Sequence, residues 1–135
     1  MHQMLARAGI ETVQVESAGV YAIEGMSPTR ETLRVVQEAG MDCSAHRARG
    51  LTAQMIEEAD LVFAMEPFQL EEILRRAPSA RNKTHLLKPY GLAAVEGPPG
   101  IPDPIGKPLE VYEVCFAEIR EAIERVARSL GVHAP

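Results

Sequence analysis

The chain has 135 residues, 46% hydrophobic and 24% charged, with a formal net charge of −5 at pH 7. That suits one soluble domain built around one core. The acidic balance argues against nucleic acid or an anionic membrane as partner, and no apolar run approaches the ~20 residues of a membrane span.

Tryptophan is absent and aromatics are only 4%, so the core must rest on Leu, Ile, Val, Ala and Met. Cys43 and Cys115 lie far apart. They form neither a Cys-x-x-Cys pair nor a disulfide framework, which predicts a reducing, cytoplasmic setting. His2, His46, His85 and His133 are scattered without metal-ligand spacing, so neither a metal nor a cofactor is expected.

The opening residues Met1 to Ala8 read as a short helix with Met4, Leu5 and Ala8 on one face and Gly9 as its stop. It has no N-cap, and about two turns of helix are marginal alone. The pattern predicts that the chain begins inside an element whose front is absent. Thr12 to Glu16 alternates apolar and polar, as a strand does. Ser27-Pro28 supplies a cap and a first-turn proline for a helix carrying Leu33, Val36 and Ala39, ended by Gly40. Thr52 caps a short helix with Ile56 and Ala59.

Leu61-Val62-Phe63-Ala64-Met65 is a continuous apolar run, the mark of a strand buried on both faces. Pro67 opens a helix with Leu70, Ile73 and Leu74 inward, and Pro78 lies beyond its end. Thr84 to Lys88 reads as a further strand, and Pro89 to Pro108 as a long Gly/Pro-rich loop. Leu109, Tyr112, Phe116, Ile119, Ile123, Val126 and Leu130 then mark one apolar stripe over about six turns of helix. Glu121 with Arg125, and Glu124 with Arg128, stand at i,i+4 on its wet side. Strands alternating with helices predict an α/β domain with a parallel sheet covered on both faces.

In such sheets ligands bind beyond the carboxyl ends of the strands. Ser17-Ala18-Gly19, Met65-Glu66-Pro67 and the Asp103 loop should meet there. Asp103 lies between prolines, in Ile101-Pro102-Asp103-Pro104-Ile105-Gly106. Two readings stay open: a carboxylate on a stiff backbone suits a general acid, and Pro-Asp-Pro-x-Gly is also a sound turn sequence. His46-Arg47-Ala48-Arg49 is either a phosphate-facing cluster or a solvated loop. Cys115 lies on or beside the apolar stripe, which favours a buried structural thiol. Cys43 has no paired base in sequence.

Taken in order, these segments change the reading. Val15-Glu16-Ser17-Ala18-Gly19-Val20, Gly40-Met41-Asp42 leading to His46-Arg47-Ala48-Arg49, and Glu58-Ala59-Asp60-Leu61-Val62-Phe63-Ala64-Met65 come first. Leu87-Lys88-Pro89-Tyr90 and Pro102-Asp103-Pro104-Ile105-Gly106 with Val111-Tyr112 follow. Over essentially its whole length the chain resembles the low-molecular-weight protein-tyrosine-phosphatase family. The resemblance implies a single three-layer domain over residues 1–135, with a four-stranded parallel sheet between helices. It implies a phosphorylated protein substrate and a phospho-cysteine intermediate. In that chemistry a thiolate in a Cys-x-x-x-x-x-Arg loop, set between the first strand and first helix, attacks phosphorus. Backbone amides and the helix N-terminus lower its pKa, and the Arg clamps the phosphoryl oxygens.

Asp103 matches the family's general acid/base. Ser17 and His46 match residues that hydrogen-bond around the phosphate loop. The nucleophile and the Arg have no counterpart: Cys43 to Arg49 agrees by count but does not follow a strand. The resemblance therefore implies an N-terminally truncated domain, without its central first strand and phosphate loop, and three outcomes are open to it: closing the gap, self-association with another copy through it, or poor folding. Ile105 and Gly106 after Asp103-Pro104 resemble the bacterial protein-arginine-phosphatase subgroup, whereas tyrosine-selective members often carry aromatics there. A non-catalytic pseudo-phosphatase or binding module is the competing reading. Arsenate reductase shares the fold but needs relay cysteines near the helix after Met65, and Glu66 to Ala77 contains none.

Overall fold

The computed structural model describes residues 3–8, 13–21, 23–94 and 97–131. Strands are β1 (Gln3–Ala8), β2 (Val13–Ala18), β3 (Leu61–Ala64) and β4 (Thr84–Leu86). Helices are α1 (Arg30–Glu38), α2 (Ala53–Glu58), α3 (Pro67–Arg76) and α4 (Leu109–Ser129), with a 3-10 helix over Pro78–Lys83. They form a four-stranded sheet in the order β2-β1-β3-β4. The α/β class read from the sequence is the one observed.

The opening element is a correction. Residues 3–8 are a strand, not a helix, and they occupy the central place predicted to be empty; Met1, His2, Gly9 and Thr12 lie outside the described residues. β1 pairs antiparallel with β2 (Gln3↔Ala18 to Ala8↔Val13) and with β3 (Met4↔Phe63 to Ala6↔Leu61). Two physical reasons favour this. An uncapped two-turn helix is marginal, whereas the facing edges of β2 and β3 offer ladder bonds on both sides of one strand. Ala8 and Val13 are separated by four residues, enough for a hairpin but too few for the crossover a parallel pair needs. The sheet is therefore mixed, with only β3 and β4 adjacent and parallel (Val62↔Thr84). Of the outcomes open to a chain without its first strand, the one observed is closure of the gap: the inner edges of β2 and β3 are both paired with β1.

Strand periodicity explains the two-sided core. Val62 and Ala64 point to one face, where they pack with Ala18, Leu51, Ile56, Ile73 and Ala80 under α2 and α3. Phe63 and Met65 point to the other, packing with Leu87, Ile101, Cys115, Ala122 and Val126 of α4 and its loop. α1 packs on α4 on that second side. The α4 stripe is rotated slightly from the predicted one: Tyr112, Cys115, Ala122 and Val126 are buried, while Phe116 is only half-buried. The Glu121–Arg125 pair forms at 2.9 Å, whereas Glu124 pairs with Arg120 at 3.3 Å instead of with Arg128.

Local signals set the helix ends. Thr52 Oγ1 accepts from Met55 N at 3.2 Å, and Pro67 occupies the first turn of α3. The cap of α1 is Thr29, two residues later than predicted, because its hydroxyl accepts from Thr32 N at 3.2 Å. Gly40 ends α1 with φ +83°, a conformation open to glycine. Long cations then tie loops to helices. Arg76 donates to Leu51 O (2.9 Å) and Val20 O (3.1 Å), Arg125 to Tyr90 O (2.8 Å) and Lys88 O (2.6 Å), and Lys83 to Ala59 O (2.7 Å).

Candidate active site

The chain leaves β2 at Ala18 and β3 at Ala64 on the same edge of the sheet. Beyond β2, Gly19 bridges to Gly50, with Gly19 N donating to Arg49 O (2.9 Å) and Leu51 N to Gly19 O (2.9 Å). Beyond β3, Met65 O accepts from Ile101 N at 2.8 Å, drawing the Asp103 loop to this edge. A cleft of about 560 Å³ opens between them. Gly19 and Tyr21, Phe68 and Gln69 of α3, and His46 and Asp103 are among the residues that line it.

Asp103 is exposed, and its Oδ1 accepts from Ile105 N at 3.0 Å. That is the side-chain turn the Pro-Asp-Pro-x-Gly sequence suggests. Pro104 is buried and Gly106 takes φ +78°. Turn geometry and cleft exposure coexist, so the two sequence readings of Asp103 are compatible.

His46 lines the cleft with Asp103. Ser17 does not: it lies in β2 opposite Met4, and its carbonyl accepts from Arg49 Nε at 2.9 Å. The two arginines of the basic segment bond within the protein. Arg47 Nη1 donates to Ser44 O (2.8 Å) and His46 O (2.7 Å), and Arg49 Nη2 lies 3.8 Å from Glu16 Oε2.

The Cys43-to-Arg49 count match has no phosphate-loop geometry. Cys43 opens a turn, with His46 N donating to its carbonyl at 3.0 Å, and no helix follows it. Burial, and then the Asp42 charge, push the Cys43 thiol up from its ordinary 9.0, opposite to the activation a nucleophile needs. Cys115 is 6% exposed, and burial, followed by the Glu118 charge, pushes it to about 11. Among the described residues no group of three or more His, Cys, Asp or Glu is placed to hold a metal ion. None of the described helices is long and apolar enough to cross a membrane.

Sequence reasoning did not reach Tyr21, Met26, Phe68 or Gln69 as cleft residues. Tyr21 and Met26 lie in a loop without periodicity. Gln69 left a usable signal, a glutamine two places after the helix-opening Pro67, which is the capping-box position.

The α/β fold of this chain is shared with solved structures of low molecular weight phosphatases. The arginine phosphatase YwlE from Geobacillus stearothermophilus superposes with a TM-score of 0.77 at 34% identity, over 86% of this chain and 73% of that one. The tyrosine phosphatase Wzb from Escherichia coli K30, solved with sulphate, gives a TM-score of 0.75 at 31% identity, over 84% and 76%. Among curated relatives, the protein-arginine-phosphatase of Geobacillus stearothermophilus is 36% identical over 128 residues, spanning 94% of this chain and 83% of that protein. The low molecular weight protein-tyrosine-phosphatase Etp of Escherichia coli K12 is 30% identical over 129 residues, 96% of this chain and 84% of that protein. The family described as low molecular weight phosphotyrosine protein phosphatase matches residues 1–134. The chain belongs to this family.

Proposed function

We propose that this chain is a phosphatase domain for phosphorylated protein, in which Asp103 is the general acid and base and Ser17 and His46 support the phosphate-holding loop. The observation that supports it is the shared cleft at the carboxyl edge, where Asp103 is exposed beside Gly19, His46 and Gln69. In the phospho-cysteine route a thiolate sulfur bonds to phosphorus as the bond to the leaving atom breaks, and the acid gives that atom its proton. Water then attacks phosphorus, sulfur departs as thiolate, and the same carboxylate takes the water's proton.

Neither thiol of these 135 residues suits the first step, because burial raises the pKa of both above the ordinary 9.0 instead of lowering it. The 135-residue chain is therefore expected not to hydrolyse p-nitrophenyl phosphate. Turnover that disappears on Asp103→Asn would overturn that expectation. Should the coding sequence ahead of Met1 supply an in-frame Cys-x-x-x-x-x-Arg, the joined protein should turn over. Asp103→Asn should then slow it by roughly 10²–10⁴-fold; unchanged rates would remove Asp103 from the mechanism. Phosphoarginine is the favoured substrate, since Ile105 and Gly106 follow Asp103-Pro104 in place of an aromatic wall. Competing phosphoarginine and phosphotyrosine peptides in that assay decides it.

One observation favours a second reading, a non-catalytic binding module. The sheet closes with residues 3–8 in its central place, and the next described element is the antiparallel strand β2 and not a helix. Binding of a phosphopeptide by the chain without turnover supports this reading.

A further inference from the structure

The backbone around Asp103 is short of donors. Pro102 and Pro104 have no N–H, so between Ile101 and Ile105 only Asp103 itself carries one. The loop must be held through neighbouring amides and its own carbonyls. Ile101 N donates to Met65 O at 2.8 Å. The other side of Met65 is fixed as well: Gln69 Oε1 accepts from Met65 N at 3.1 Å and from Glu66 N at 3.0 Å. Both partners are donors, so the oxygen of that amide must face them. Gln69 is a buried polar residue, 8% exposed. From the other face of the sheet, Cys115 Sγ lies 3.8 Å from Pro102 O, the carbonyl of the peptide that joins Pro102 to Asp103. The burial that keeps this thiol protonated keeps it a donor.

We propose that Gln69 and Cys115 are positioning residues for Asp103. From α3 and α4, on opposite faces of the sheet, they bear on two peptide units ahead of the acid, Gly100–Ile101 through Met65 and Pro102–Asp103. Gln69 acts through Met65 and Ile101, and Cys115 acts directly on the Asp103 peptide. Neither touches the reacting atoms. The proposal rests on the reading of Asp103 as the acid, but its test does not require turnover.

The test uses the labelled chain and two NMR readouts: amide exchange at Ile101 and Ile105, and the titration of the Asp103 carboxyl carbon. Gln69→Met and Cys115→Val remove the acceptor and the donor at near-constant shape. Gln69→Glu at neutral pH and Cys115→Ser keep them. Each apolar variant is expected to speed Ile101 or Ile105 exchange by roughly 3- to 10-fold, the loss of one hydrogen bond, and to move the Asp103 titration. The polar variants should stay near the parent values.

Unchanged exchange and titration in both apolar variants overturns the proposal. So does equal damage from the polar variants, or an equal acceleration at Val62 in the sheet, which marks general loosening. If the apolar variants fail to fold, Q69E carries the test alone. Lowering the pH through the titration of its new carboxyl must reduce the protection of the Ile101 amide relative to its intrinsic exchange rate at each pH, and no response overturns the role of Gln69. Loss of Asp103 as a catalyst would appear only in the turnover assay, so the two failures are distinguishable.

Discussion

Arg76 offers a demanding test of how the cleft wall is held. Its side chain is 23% exposed and forks between Leu51 O at 2.9 Å and Val20 O at 3.1 Å, with Nε on Glu72 at 2.9 Å. Leu51 and Val20 are buried at 6% and 8% exposure. Arg76→Met keeps the apolar stem and leaves two buried carbonyls without their donor. Each such loss costs about 1–3 kcal/mol, and partial access of water to this site favours the low end, so the expected total is about 2–3 kcal/mol. For a domain of this size that lowers the thermal midpoint by roughly 7–11 °C. Arg76→Lys retains the charge but has one ammonium for two carbonyls, and should lose about half as much. Thermal and urea unfolding followed by circular dichroism measure both. A Met variant within about 0.5 kcal/mol of the parent would refute the reasoning, because it would mean those carbonyls find water without penalty. A Lys variant equal to the parent would refute the need for the guanidinium fork.

Three further outcomes follow from the same contacts. Hydrogen bonds from Arg75 and Arg76 hold the Glu72 carboxyl at about 2, below its ordinary 4.5. Its contribution is then fully present above about pH 4.5 and lost as pH falls toward 2, and Glu72→Gln should flatten that part of the acid-unfolding curve. Burial lowers the His85 pKa from its ordinary 6.5, where the ring packs 5.0 Å from Tyr90. Stability should therefore fall as pH drops below about 6.5 and the unfolded state takes the proton first; a His85→Gln variant with the same pH slope as the parent would contradict this. Thr52→Ala removes the cap bond to Met55 N and should destabilise by about 1 kcal/mol, with Thr52→Ser restoring most of it in urea titrations.

Much of this was legible in the sequence because it depends on neighbours along the chain. The apolar run at Leu61 to Met65, the cap at Thr52, the proline opening at Pro67 and the stripe of α4 are local patterns, and local chemistry decides them. The family was legible too, since the order of short motifs from Ser17 to Asp103 survives without any contact being known. The strand at residues 3–8 was not. Its helix pattern is intrinsic, but its conformation depends on ladder edges of β2 and β3 that are distant in the chain, and such pairing overrides weak local preference. The cleft was likewise a tertiary product. Asp103, His46 and Gln69 are far apart in sequence and meet because the chain leaves β2 and β3 on one edge. The sequence could offer Cys43 and Arg49 at the right count. Only the folded chain turns Arg49 toward Ser17 and Glu16 and raises the pKa of the Cys43 thiol instead of lowering it. Spacing counts residues, whereas reactivity depends on the field and the direction of each group in space.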